Sequence, residues 1–186
     1  FFEVERRLLA TRPIFPTLGN HETTDTTFFD GLLSAPKLAK VDHPYYSSID
    51  WGRVHIAFLN SFEGKFTTLK GNDPGLGDAQ AAWLDADLAA ARAAGKLSFV
   101  FTHQNAFSHG KSGAHGGSAD VKAKVVPAML KHRALAIFGG HDHYYQRGRE
   151  GCVDYFVVGG GGAPLYDPDE AAPGVAVSKK LPSYLR

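Results

Sequence analysis

The apolar run Ala134-Leu135-Ala136-Ile137-Phe138 breaks off in Gly139-Gly140, and two imidazoles one residue apart, His141 and His143, follow at once. Consecutive apolar residues read as a buried strand, and the paired glycines mark where the chain leaves the sheet. The next side chains are then delivered to the mouth of a sheet, where open α/β sheets hold their ligands. In a regular strand His141 and His143 would face opposite ways. In a glycine-released loop they can straddle one site, each holding a different metal ion. Taken alone, the pair reads more readily as solvated or core-satisfied histidines than as metal ligands.

The same pattern recurs at two other places. Pro13-Ile14-Phe15-Pro16-Thr17-Leu18 reads as a short edge strand running into Gly19-Asn20-His21-Glu22. Leu97-Ser98-Phe99-Val100-Phe101-Thr102 reads as a strand with His103 at its end. Between these lie helix signals. Residues Asp78 to Ala94 carry Trp83, Leu84 and Leu88 on one stripe, with Asp78 at the N-cap and Gly95 as the stop. Residues Ala119 to His132 form another helix, in which Pro127 implies a late start or a kink. A third is expected around Phe28 to Leu33, stopped by Pro36. Phe1 to Leu9 resembles the end of an amphipathic helix, as in a piece of a longer chain.

Tyr45 to Asp50 and Arg53 to Asn60 flank Trp51-Gly52 and read as a hairpin, in which His55 alternates with apolar neighbours as a structural residue. Val153 to Val158 is a further strand, and the four glycines that follow it, Gly159 to Gly162, demand unusual backbone angles or close approach. With no repeat and no linker, the chain reads as one α/β domain over residues 1–186.

Composition narrows the function. A formal charge of +1 with no long basic run argues against dedicated nucleic-acid or membrane-surface binding and favours a small partner. No apolar run is long enough to span a bilayer. The single cysteine, Cys152, excludes an internal disulfide and reads as buried packing beside a strand. Imidazoles and an amide oxygen at three strand ends suit iron, zinc or manganese, whereas calcium would want more carboxylates. Without cysteine partners, a hydrolytic site with open positions is a better reading than a structural zinc site.

These residues resemble a known family. Gly19-Asn20-His21-Glu22, Val100-x-x-His103 and Gly140-His141-x-His143 are similar to the last three of the five motifs of calcineurin-like metallophosphoesterases. The extension through Tyr145 and Arg147, and the segment Gly159 to Tyr166, resemble the purple acid phosphatase branch. The resemblance implies a two-sheet mixed β sandwich flanked by helices, here lacking its first strands. It implies a two-metal site for hydrolysing phosphate esters, with monoesters favoured, in which Asn20, His103 and His141 hold one metal and His143 the other. Two ions about 3.5–4 Å apart would clamp the phosphoryl oxygens and generate the attacking hydroxide. His21 would contact the phosphate and protonate the leaving alkoxide. Glu22 would orient His21, or stand as a solvent-exposed helix-start glutamate. His115 and His109, on a glycine-rich loop, are candidate substrate contacts, while Lys111 is solvated charge. Tyr145 and Arg147 would support the histidine loop. Related proteins are often exported, which favours a periplasmic or secreted compartment.

The family's first two motifs, Asp-x-His or Asp-x-Gly and Gly-Asp-x-x-Asp or -Tyr, do not precede Gly19. They supply the bridging carboxylate, so the chain is expected to be the C-terminal part of one metallophosphoesterase domain. Alone, it is expected to bind metal weakly and turn over poorly, with the missing half of the same protein as a candidate partner. A non-catalytic binding or regulatory remnant, and a phosphodiesterase or nuclease, are the alternative functions.

Overall fold

The computed structural model describes residues 6–22, 45–63 and 75–184. A short helix, α1 (Arg6–Leu9), is followed by β1 (Ser47–Trp51) and β2 (Val54–Leu59). These pair antiparallel as the expected hairpin, with Trp51 opposite Val54 and a positive φ of 57° at Gly52 closing the turn. The helix expected around Phe28 to Leu33 and the first residues of the opening helix lie outside the described residues.

Helix α2 (Asp78–Ala93) forms where alanine and leucine dominate, and Leu84 and Leu88 on its inner stripe are fully buried. Each such burial contributes about 1.5–3 kcal/mol. Its N-cap is Gly77 rather than the expected Asp78. The Gly77 N–H donates to Glu63 Oε2 at 2.9 Å, which fixes the entering turn one residue earlier. Asp78 instead occupies the first turn, favourable for a carboxylate, 3.2 Å from Lys124. The C-terminus is a Schellman closure: Gly95 has φ 69°, its N–H donates to the Arg92 carbonyl, and the Lys96 N–H donates to the Ala91 carbonyl.

The chain continues through β3 (Leu97–Gln104), α3 (Ala119–His132), β4 (Ala136–Gly140), β5 (Tyr145–Glu150), β6 (Val153–Val158) and β7 (Val175–Lys179). Ser118 caps α3 by accepting from the Val121 N–H at 3.2 Å. The helix does not start late. It runs through Pro127, which is exposed, so the missing N–H interrupts the ladder on the solvent side.

The described strands form one seven-stranded mixed sheet in the order β1-β2-β3-β4-β6-β5-β7. β2, β3, β4 and β6 are parallel neighbours, with α2 and α3 as the crossovers between β2, β3 and β4, an α/β architecture. Both helices lie over the face carrying Ala57, Val100, Ile137 and Val157, and these residues make the main core. On the opposite face a row of phenylalanines crosses the strands. Phe58 and Phe101 stand 5.8 Å apart, Phe101 and Phe138 stack at 4.7 Å, and Phe138 and Phe156 stack at 4.8 Å. Cross-strand pairs of this kind hold register as well as adding contact area.

Residues 13–19 form no strand ladder, against the expectation of an edge strand. Pro13 and Pro16 lack the N–H that a ladder needs. The segment is anchored by side chains instead, with Leu18 fully buried and Phe15 stacked on Phe58 at 5.5 Å. Cys152 is exposed, not packed, because the chain turns at Gly151-Cys152 before β6 begins. Among the described residues no helix is long and apolar enough to cross a membrane.

The structural reading of His55 holds. The ring is fully buried, with Nδ1 2.9 Å from Asp50 Oδ1 and Nε2 2.9 Å from Asp87 Oδ2. Each ring nitrogen faces a carboxylate, so the ring bridges β1 and α2.

Candidate metal centre

Parallel β3 and β4 end side by side, and the crevice beyond their carboxyl ends gathers the strand-end residues. A cleft of about 380 Å³ is lined by Asn20, His21, His103, His115, His141, His143 and Tyr166, with the backbone of Gly140, Gly159 and Gly161. β3 runs one turn of the pleat further than expected, so His103 lies within the strand and Gln104 ends it. His141 follows β4 at a positive φ of 68°, a conformation that a non-glycine residue holds only where its surroundings fix it.

The centre of the group is tight. His103 Nε2 lies 3.0 Å from Asn20 Oδ1 and 3.1 Å from His141 Nδ1. Phe62, fully buried, floors both rings at 5.7 Å. Gly19 is required behind them, since a Cβ there would meet the His103 ring. The turn that presents Asn20 is closed by Glu22, whose Oε2 accepts from the Gly19 N–H at 2.9 Å. That bond gives Glu22 a role in the backbone of the turn. His21 is exposed at the lip of the cleft.

His143 is held differently. Its Nδ1 is 2.9 Å from the Pro164 carbonyl, and a carbonyl only accepts, so Nδ1 carries the proton and Nε2 is left with its lone pair. The ring stacks on Tyr166 at 4.3 Å and 19°, and the Tyr166 N–H donates to the His143 carbonyl at 3.1 Å. Two of the four glycines are explained by close approach and a third, Gly162, by its backbone angle, whereas Gly161 faces open space. A Cβ on Gly159 would collide with the Asp142 carbonyl and one on Gly160 with the Leu181 carbonyl, while Gly162 takes φ 134°.

The loop 107–118 brings His115 to within 4.2 Å of the His141 ring but leaves His109 elsewhere. The His109 N–H donates to Gln146 Oε1 at 2.8 Å, its ring lies 6.0 Å from Tyr155, and its Nε2 is 3.2 Å from Glu150. It does not line the cleft shared by the other histidines. Lys111 is exposed. Tyr145 is half-buried and Arg147 exposed on β5. The contacts that hold the histidine loop involve residues the sequence did not single out, Asp142, Tyr144 and Ser108, while Gln146 of β5 holds the neighbouring loop at His109. The signal for Asp142 was present, as a carboxylate between two histidines. Ser108 reaches it across 34 residues, a separation that no local pattern encodes.

Burial, with the nearby His21, His143 and His115 adding to it, lowers the pKa of His103 to about 4. Burial and then His103 lower His141 to about 3, against a partial offset from Asp142. Both rings are therefore neutral at pH 7, the state in which an imidazole nitrogen can serve a Lewis acid. The folded values lie below the ordinary value of 6.5, so as pH falls the unfolded chain takes up these protons first. For the metal-free protein, this contribution to stability is complete above pH 6.5 and is lost progressively as pH falls toward 4 and then 3. Thermal melts in chelator are expected to show Tm level from pH 7.5 to about 6.5 and falling from there to pH 4. A Tm constant down to pH 4.5 would exclude it.

Two ligands in cis positions on a metal, each at about 2.1 Å, are separated by about 3.0 Å. His103 Nε2 already stands at about that separation from both Asn20 Oδ1 and His141 Nδ1, and neutral imidazoles with an amide oxygen suit zinc, manganese or iron. The residues fit a metal. Among the described residues, no group of three or more His, Cys, Asp or Glu side chains is arranged to hold a metal ion by itself, because the convergence is of two imidazoles and an amide.

A mixed α/β sheet with metal-competent side chains at the carboxyl ends of its parallel strands defines the class. A sequence profile of the calcineurin-like phosphoesterase family matches residues 2–145, and the chain belongs to that family. Among solved structures it is similar to a dimetal phosphatase from Danio rerio, at 16% identity and TM-score 0.66, over 83% of this chain and 63% of that one. It is similar to the purple acid phosphatase PPD1 from yellow lupin seeds, at 17% identity and TM-score 0.54, over 75% of this chain and 28% of that one. It is also similar to GAP50, the anchor in the inner membrane complex of Plasmodium, at 10% identity and TM-score 0.53, over 91% and 65%. At these identities the likeness is one of fold, and the chain spans less than two thirds of each of these structures. A search of curated protein sequences finds no significant match.

Proposed function

We propose that the cleft serves metal-dependent hydrolysis of phosphate esters, with monoesters as the favoured class. Asn20, His103 and His141 are the ligands of one metal in this reading, and Nε2 of His143 serves a second. The observation that carries it is the spacing of Asn20 Oδ1, His103 Nε2 and His141 Nδ1 at 3.0 and 3.1 Å, the separation of donors that share an ion. When bound, zinc, iron or manganese would polarise the phosphoryl oxygens and lower the pKa of water. The chain's own side chains do the rest. His21, at the lip, gives its proton to the departing alkoxide, a general-acid contribution of about 10²–10⁴-fold. His115, beside His141, donates to a phosphate oxygen. Tyr166 and the Pro164 carbonyl keep the His143 ring in the tautomer whose lone pair is free.

A binding module that kept this fold is the second reading. It is favoured by a specific observation: among the described residues, no aspartate or glutamate lines the cleft. A site without carboxylates offsets little of the charge of two ions, so residues 1–186 alone are expected to bind the second metal weakly and to turn over slowly. Titration with zinc, manganese and iron, read by calorimetry alongside hydrolysis of an aryl phosphate and a bis-aryl phosphate, separates these readings. One strong metal site with slow monoester turnover fits the proposal. Binding of phosphate with no turnover under any metal fits the module, and preference for the diester overturns the monoester assignment.

A further inference from the structure

We propose that Asp142 is a positioning residue that fixes where His115 stands in the cleft, an inference that rests on the reading of that cleft as a phosphoester site. Asp142 lies between His141 and His143 yet does not line the cleft, and it is 1% exposed. Its Oδ1 accepts from the His115 N–H at 2.7 Å, and its Oδ2 accepts from the Gly116 N–H at 3.0 Å. The same Oδ2 takes the Ser108 hydroxyl at 2.6 Å and lies 3.2 Å from the Tyr144 hydroxyl. Four donors converge on one carboxylate, and they come from two segments: the loop 107–118 and the histidine loop itself.

A buried carboxylate is costly unless its lone pairs are filled, and here they are filled by groups whose placement matters to the cleft. Loop 107–118 has no strand ladder over residues 111–118; backbone bonds hold its flanks, with the Ala114 N–H on the Lys111 carbonyl and the Gly117 N–H on the Ser108 carbonyl, while the N–H groups of His115 and Gly116 go to Asp142. Gly116 has φ 78°, which turns consecutive N–H groups of His115 and Gly116 toward the same carboxylate. The His115 side chain is exposed and lies beside two rings, His141 at 4.2 Å and Tyr166 at 5.9 Å, while its backbone N–H is tied to Asp142. Tyr144 is fully buried beneath the network, with its hydroxyl facing both Asp142 and Ser108. The arrangement thus links the residue proposed to meet the phosphate to the residues proposed to meet the metal, through one side chain that touches neither ligand.

The test uses the ¹⁵N-labelled chain and amide exchange. In the wild type, the His115 and Gly116 amides are expected to exchange slowly, although they lie in a loop. In Asp142→Asn, one acceptor becomes a donor, and exchange of at least one of the two is expected to rise about tenfold or more, as for loss of a charge-assisted bond. Amides of α3 such as Val125 are expected to stay unchanged. Inorganic phosphate, followed by the His115 ring resonances with zinc present, is expected to bind several-fold more weakly in the variant while zinc affinity is kept. Fast exchange of both amides in the wild type would overturn the proposal, and so would unchanged protection in Asp142→Asn. If the variant does not fold, the wild-type exchange rates decide. Failure of phosphate to bind the wild type at all, with both amides protected, would count against the phosphoester reading and leave the tie itself supported.

Discussion

Replacing His55 with alanine is expected to lower the unfolding free energy by about 3–5 kcal/mol, the range for breaking a buried charge pair by removing one partner. The ring is fully buried between Asp50 and Asp87, and without it two carboxylates face each other across the space it leaves. Asp87 is nearly buried, whereas Asp50 reaches solvent and has Lys96 at 3.3 Å, which puts the loss toward the lower end of that range. Urea unfolding followed by circular dichroism reads the change as a lower midpoint at an unaltered slope. A loss under about 1 kcal/mol would show that neither carboxylate depends on the ring. His55 thereby ties the β1–β2 hairpin to α2, at the opposite end of β2 from the cleft.

Substituting His103 by alanine is expected to reduce zinc affinity by at least about 10²-fold, since losing even an outer partner of a metal ligand typically costs 10–100-fold. His103 is the common neighbour of Asn20 and His141, so its removal separates the donor group into two parts. Competition with a chromophoric chelator measures the affinity directly, independent of any turnover. The same substitution at His132, which pairs with Asp85 of α2 at the C-terminal end of α3 and does not line the cleft, is expected to leave the affinity unchanged. Equal affinity in wild type and His103→Ala would remove this residue from the ligand set.

Much of the frame was legible because it is local. The α2 and α3 boundaries, the hairpin at Gly52 and the strand Val153–Val158 follow from periodicity, alanine content and glycine placement within a few residues. The strand-end histidines were legible for the same reason: each directly follows or closes an apolar run. What escaped is long-range. Residues 13–19 look like a strand by composition, and only the tertiary setting shows side chains anchoring them in place of a ladder. His109 and His115 share a loop with similar glycine-rich flanks, yet one turns to Gln146 and Glu150 and the other to the cleft. The difference is made by Asp142 and Gln146, residues of a different segment, and no spacing within the loop encodes it.

The chain's sole cysteine gains a use from where the fold leaves it. Cys152 is exposed at the start of β6, while the cleft-lining Gly159 follows the end of the same strand, about 20 Å away at the rise of a β-strand. A maleimide dye or a surface tether attached there would stand at the far end of the sheet from the histidines. The molecule can therefore be labelled or immobilised at one point, with its cleft facing solution, without introducing any substitution.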